Sequence, residues 1–303
     1  AHLTESLPVT ALTQVYGDGE KIAAAMITYP KELNAADVSA GDFSVAGKKI
    51  ASVHVNDKED FTGSAKKGRY VFLEFAYENT VYDGDLAKKP GRPKESDHKG
   101  TDAPSHSDRK LPYRRQRQMC IRDRLKAADG SIMEANGRKI TGTAVIEPDI
   151  ARFRQYVYTD PGTGNSMPYN LYLPEQYDPQ KKYPLLFFVA DASANINAVT
   201  TPLFQGNGAT VWATPAEQAR HECIVLAPQY TADLVEKLGM MTTDENKWTD
   251  GLTLISRLLF DVMGRYSVDM NRIYGTGQSQ GGMTNIALSD KYPDLFAGQL
   301  LVA

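Results

Sequence analysis

The sequence predicts two domains of different class: an all-β sandwich, then an α/β domain whose mostly parallel sheet is covered by helices on both faces. Three observations predict this. Short alternating apolar runs, punctuated by turn residues, fill the first 85 or so positions. Continuous apolar runs of strand length alternate with helical periodicity after about position 150. Between them, 83–124 is rich in Lys, Arg, Asp, Ser, Pro and Gly and poor in apolar residues. The 303 residues suffice for two domains of ordinary size, and Pro148-Asp149 is the expected boundary, giving 1–148 and 149–303.

In the first domain, strands are expected at 9–15, 21–29, 43–45, 49–55 and 69–75, forming an antiparallel sandwich. Gly17-Asp18-Gly19 and Gly47 supply turns between them. His54 lies in one of these strands and is assigned a structural place only. The polar segment, 84–126, is expected to be a loop or an insert foreign to the protein. Its end, 114–124, is locally basic. Met119-Cys120-Ile121-Arg122-Asp123 is what ATG TGT ATA AGA GAC encodes, and this resembles the transposon end ligated in sequencing-library preparation. Order is expected to resume at Ile132, with a last strand at 139–147.

The second domain opens on a hairpin, 153–159 with 167–173. The run 183–190 is apolar throughout, as a strand buried on both faces requires, and 222–228 is the next such strand. Cys223 within it reads as a small core residue. Thr214-Pro215-Ala216-Glu217 has the chemistry of a helix start: capping threonine, first-turn proline, glutamate at the third position. From 249 to 266, Leu252, Ile255, Leu258, Leu259, Val262, Met263 and Tyr266 recur at spacings of three and four, one apolar face of a helix. A strand at 272–276 and a last one at 296–303 complete the reading. Trp212 and Trp248 each follow a loop, with core packing set against a place lining a cleft.

Composition excludes some functions. Apolar content of 42% and charged content of 23% belong to a globular protein, and a net charge of -3 argues against a nucleic-acid partner. No apolar run approaches membrane-spanning length. The two cysteines, Cys120 and Cys223, permit one disulfide at most. No His/Cys/Asp cluster has metal-ligand spacing, so neither metal nor cofactor is expected.

The chemistry is expected at Gly277-Gln278-Ser279-Gln280-Gly281, a G-x-S-x-G pattern between a strand and a helical run at 284–291. A serine there is held in a strained turn with its hydroxyl above the sheet, and a Cβ at Gly277 or Gly281 would collide with neighbouring backbone. The helix that follows aims its first amides at the reaction centre, and the Gln280 N–H is placed to bind an oxyanion. Ser279 thus reads as the nucleophile of a serine hydrolase.

Residues 183–189, 250–269 and 271–283 resemble the α/β-hydrolase superfamily, specifically secreted esterases of the polyhydroxybutyrate-depolymerase and feruloyl-esterase type. The leader resembles the immunoglobulin-like domain ahead of some such esterases. The resemblance implies hydrolysis of a small-molecule or polymer ester, and a secreted or periplasmic location with any signal peptide already removed. It also implies a Ser-His-Asp triad in which Asp and then His follow the serine. Two departures matter. Where the family carries His-Gly-x-Gly, this chain has Ala190-Asp191-Ala192-Ser193, so backbone amides of Asp191 and Ala192 are the expected second oxyanion donors. Moreover, 24 residues follow Ser279 and none is His. Of His2, His54, His98, His106 and His221, none is placed as a base; His221 precedes a strand and so belongs at the sheet's opposite end. The expectation is therefore a domain incomplete at its C-terminus, its acid and base beyond Ala303, inactive as it stands, with 300–302 an exposed edge. Two alternatives stay open: a serine peptidase of the prolyl-oligopeptidase type, and an inert hydrolase fold whose β domain binds polymer or carbohydrate.

Overall fold

The computed structural model describes residues 7–78, 121–126, 132–135 and 144–302. The chain divides into two compact units, Ala1–Gln14 with Glu20–Pro148 and Val15–Gly19 with Asp149–Ala303.

The first unit is a two-layer β structure. Its strands are β1 (Val9–Tyr16), β2 (Gly19–Asn34), β3 (Phe43–Val45), β4 (Ile50–Asn56), β5 (Lys67–Phe75), β6 (Ile121–Lys126), β7 (Ile132–Ala135) and β8 (Ala144–Ile146). A five-stranded sheet runs β4-β5-β2-β1-β8, and a three-stranded one β3-β6-β7. Alternation explains the layering: along β1, Val9 and Ala11 turn inward while Thr10 and Leu12 lie outside the buried set or at its edge. Phe43, Val45, Ile121 and Leu125 from the small sheet meet Val9, Ile27, Val55, Val71 and Leu73 from the large one in a single core. Each such side chain taken from water contributes about 1.5–3 kcal/mol.

Two expectations are corrected here. Residues 121–126 are not loop: β6 pairs antiparallel with both β3 and β7, and Ile121 is completely buried. Order therefore resumes before Ile132. Nor is the sandwich wholly antiparallel, since β8 pairs parallel with β1 through Thr10–Ala144, Ala11–Val145 and Leu12–Ile146. The expected strand 139–147 is realised as Ala144–Ile146, and its first residues, like 84–120 with Cys120, lie outside the described residues.

The second unit opens with α1 (Pro148–Ala151), then β9 (Arg154–Thr159), β10 (Ser166–Tyr172), β11 (Tyr183–Val189), α2 (Thr201–Phe204), α3 (Pro215–Arg220), β12 (Ile224–Pro228), α4 (Ala232–Leu238), α5 (Asp250–Arg265), β13 (Val268–Gln278), α6 (Gln280–Lys291) and β14 (Gly298–Val302). The sheet order is β14-β13-β11-β12-β10-β9. β14, β13, β11 and β12 are parallel, whereas β9 and β10 form the expected antiparallel hairpin.

The two faces of β11 and β12 bury different sets. Leu185, Phe187, Val189, Ile224 and Leu226 pack with Leu252, Ile255, Leu258, Leu259 and Val262 of α5. Leu186, Phe188, Val225 and Ala227 pack with Leu203, Ala209 and Ala213 on the other side. This is why both runs are apolar at every position. Thr214 caps α3 by accepting from the Glu217 amide, as expected from sequence, and Thr249 caps α5 by accepting from the Leu252 amide. Cys223 is a core residue of the second face, and burial pushes its thiol up to about 11. Both tryptophans are partly buried against these cores, and the Trp248 Nε1 donates to the Thr253 hydroxyl at 2.8 Å. The last strand is Gly298–Val302, at the sheet edge, with Leu300 62% and Val302 49% exposed. Among the described residues no helix is long and apolar enough to cross a membrane.

Candidate active site

β13 runs to Gln278 and α6 begins at Gln280, so the whole turn between them is Ser279. The helix thus starts directly after the serine, as expected, four residues before the helical run read at 284–291. A direct strand-to-helix reversal on one residue forces its backbone out of the usual regions: Ser279 has φ 50° and ψ -115°. For a residue with a Cβ this costs on the order of 1–3 kcal/mol. It is held in place from both sides, its amide donating to the Val302 carbonyl at 2.9 Å and its carbonyl accepting from the Met283 amide at 2.9 Å. The side chain is exposed.

The flanking glycines are explained by distance. A Cβ on Gly281 would lie 1.8 Å from the Val189 carbonyl oxygen, and one on Gly277 would lie 2.6 Å from the same atom. Backbone of β11 and backbone of α6 approach so closely here that only glycine fits. Asn285, fully buried in α6, closes the turn from below: its Nδ2 donates to the Thr276 carbonyl at 3.0 Å and the Gly281 carbonyl at 2.9 Å. One amide thus joins the strand before Ser279 to the helix after it.

The neighbouring strand brings the second set of sequence-predicted residues alongside. Val189 is in register with Gly277, the last pair of that ladder, and Asp191 follows two residues beyond it. Asp191 and Ala192 open a short 3₁₀ turn, Ala192–Ala194. The Asp191 carboxylate caps that turn, accepting from the Ser193 amide at 2.7 Å, the Ser193 hydroxyl at 2.5 Å and Gln205 Nε2 at 2.8 Å. Its negative charge is thereby committed to its own loop. Gln280 is buried, and its side chain forms a reciprocal amide pair with Asn195: Asn195 Nδ2 to Gln280 Oε1 at 3.0 Å, Gln280 Nε2 to Asn195 Oδ1 at 3.2 Å.

Sequence reasoning missed Asn195, Gln205, Gln229 and Asn285. Only Gln229 stands directly past the end of an apolar strand; the partners of the other three are distant in sequence or give no local signal.

His221 is the one histidine between 149 and 303. It caps the end of α3, exposed, with Nδ1 3.3 Å from Glu217. It precedes β12, whose Ile224 pairs with Leu185 near the start of β11, so it lies at the opposite end of the sheet from Ser279. His54 lies on β4 of the first unit, stacked on Phe72. His2, His98 and His106 are outside the described residues. Among the described residues no group of three or more His, Cys, Asp or Glu side chains is arranged to hold a metal ion.

The layers and the strand-to-helix turn define the class: a β-sandwich leader followed by an α/β-hydrolase domain. Two comparisons with known proteins agree. Residues 8–134 match the esterase Ig-like N-terminal domain family. The crystal structure of a thermostable esterase is similar over 96% of this chain and 76% of that one, with TM-score 0.73 and 26% identity. A feruloyl esterase module from Clostridium thermocellum, 18% identical, matches 50% of this chain and 53% of its own with TM-score 0.36. An S-formylglutathione hydrolase from Staphylococcus aureus, 16% identical, matches 48% of this chain and 54% of its own, also at 0.36. No curated protein matches the chain. The chain has the architecture of an esterase with an immunoglobulin-like N-terminal domain.

Proposed function

We propose that this protein is a serine carboxylic-ester hydrolase with Ser279 as its nucleophile. The observation that carries the reading is the Ser279 backbone at φ 50°, in a turn closed by two glycines that admit no Cβ. Such strain persists only where the surroundings over-determine it, and here it lifts a hydroxyl above the C-terminal ends of parallel strands.

In the reaction, the Ser279 oxygen attacks the ester carbonyl carbon as a base takes its proton. The carbonyl oxygen becomes an oxyanion, stabilised by the Gln280 amide and by amides at Asp191 and Ala192. Collapse expels the alcohol, protonated by the same base, and leaves an acyl-serine that water hydrolyses to the acid. The base is a histidine oriented by an aspartate, both taken to lie beyond Ala303. A serine hydroxyl without such a base is a poor nucleophile. The reading includes secretion or export to the periplasm, a small-molecule or polymer ester as substrate, and no metal in the reaction.

The test is turnover of p-nitrophenyl esters by the full-length protein and its Ser279→Ala variant. The expected loss is on the order of 10⁴- to 10⁶-fold in kcat. Equal rates would remove Ser279 from the chemistry.

A further inference from the structure

The Gln280 side chain does something the motif does not require. G-x-S-x-G leaves this position open, and a backbone amide donor needs no particular side chain. Yet Gln280 is only 4% exposed, and its amide group is fully matched to that of Asn195, itself 6% exposed. Two antiparallel hydrogen bonds of 3.0 and 3.2 Å fix orientation as well as distance, because neither amide can rotate without breaking both.

Asn195 is in turn held from behind. Gln229, just past the end of β12 and 1% exposed, donates through Nε2 to the carbonyls of Ala194 and Ile196, each at 2.6 Å. It grips the chain on either side of Asn195 and presents that side chain toward Gln280. Gln229 is anchored to the sheet by its own amide, which donates to the Pro168 carbonyl at 2.9 Å. A continuous path thus runs from β12 through the loop after β11 to the residue following Ser279.

We propose that Asn195 and Gln280 are positioning residues that set the width of the oxyanion site. This rests on the esterase reading above. The two walls of that site come from different segments: the Gln280 amide from α6, and the Asp191 and Ala192 amides from the loop after β11. The amide pair ties them together within five residues of both. It does so without charge, so the donors act on the developing oxyanion unopposed, and burial strengthens each bond. Misplacement of a catalytic group by about 1 Å costs on the order of 10²-fold in rate.

The experiment uses the full-length protein and p-nitrophenyl esters, with Ser279→Ala as reference. Gln280→Met and Asn195→Leu should each lower kcat by about 10- to 100-fold while KM stays within about threefold, since an oxyanion contact forms only in the transition state. The swapped double variant, Asn195→Gln with Gln280→Asn, keeps the combined length and should recover about tenfold or more of the lost kcat. Should the apolar variants not fold, Asn195→Asp retains the shape and one of the two bonds and should show a loss of about tenfold. The proposal is overturned if Ser279→Ala is inactive while the single variants keep kcat within about threefold of the parent. It is equally overturned if the loss appears in KM, or if the swap recovers nothing. Turnover that does not depend on Ser279 would instead overturn the esterase reading, and the pair's role with it.

Discussion

The two ends of β13 are built from different materials. At its start the chain is closed by charge and phenol. Arg272 Nε donates to Asp269 at 2.7 Å, the Ser267 amide donates to the Tyr177 hydroxyl at 2.8 Å, and Lys181 pairs with Glu222 on the neighbouring segment. The two ion pairs are partly exposed, Ser267 is buried, and the strand pairing is irregular between Tyr183 and Leu185, but no residue there has a positive φ. At its finish there is a strained serine, two glycines without room for a methyl group, and neutral amides from Asn195, Gln229 and Asn285 on main-chain or side-chain partners. The difference teaches where conformational energy is held. Exposed ion pairs contribute at most about 1 kcal/mol each and tolerate change. Buried amides on backbone carbonyls cannot be removed without leaving an orphaned acceptor.

The comparison breaks most sharply at Gly281. Alanine is the better helix former by about 1 kcal/mol, which would favour Gly281→Ala at the start of α6. The added carbon, however, would sit 1.8 Å from the Val189 oxygen, a backbone atom with no side-chain rotation to relieve the clash. Overpacking of this kind costs about 3 kcal/mol, at the upper end of its range, so the clash wins. Chemical denaturation should show a lowered midpoint and turnover should fall with it. A neutral result would mean that β11 and α6 can separate freely, and the elbow would not be the rigid end. Asn285→Leu comes next. It leaves the Thr276 and Gly281 carbonyls without the Nδ2 donor, at a cost of about 2–3 kcal/mol by the same measurement.

How much of this was legible follows from the range of each interaction. Gly277, Ser279 and Gly281 stand within five consecutive residues, and the steric demand on them is local, so the motif could be read directly. α5 announced itself through its apolar spacing, which acts within one helix. The amides could not be read this way. Gln280 meets Asn195 across 85 positions, and Gln229 meets Ala194 across 35. Nothing in local sequence marks which amide will be buried. β6 was missed for another reason: Ile121 and Leu125 are its only apolar residues, and Arg122, Asp123, Arg124 and Lys126 surround them. Their even spacing is that of one strand face, but the charge made the run look like loop. The parallel pairing of β8 with β1 is a property of topology, and alternation within a strand does not encode it.

A third prediction concerns the antiparallel edge of the same sheet. Asp160 lies in the turn between β9 and β10 and is buried. The Thr163 hydroxyl at 2.6 Å, and with it Arg257 at 2.7 Å, hold its carboxyl below the usual carboxylate value. A carboxyl whose native value is depressed binds its proton less readily folded than unfolded. Its contribution is therefore complete above about pH 4 and is lost as the pH falls through the native value. Asp160→Asn should lower stability at pH 7 and flatten the acid limb of the stability curve. An unchanged acid limb would show that this turn does not titrate with folding.

The smallest expected effect sharpens the comparison most. His221 is the histidine that the hydrolase unit carries, and its side chain is 69% exposed beside Glu217. A serine hydrolase needs a base within hydrogen-bond reach of its nucleophile. If the sheet's two ends are as different as they look, His221→Asn should change stability by no more than about 0.5 kcal/mol, the scale of an exposed helical pair. It should leave kcat of the full-length protein unchanged, because the group is separated from Ser279 by the length of the sheet. The same assay that removes activity in Ser279→Ala would then read parental rates in His221→Asn. A tenfold fall in kcat would place His221 in the chemistry and contradict the proposed assignment, in which the strained, neutral end holds the reaction centre and the charged end closes the domain.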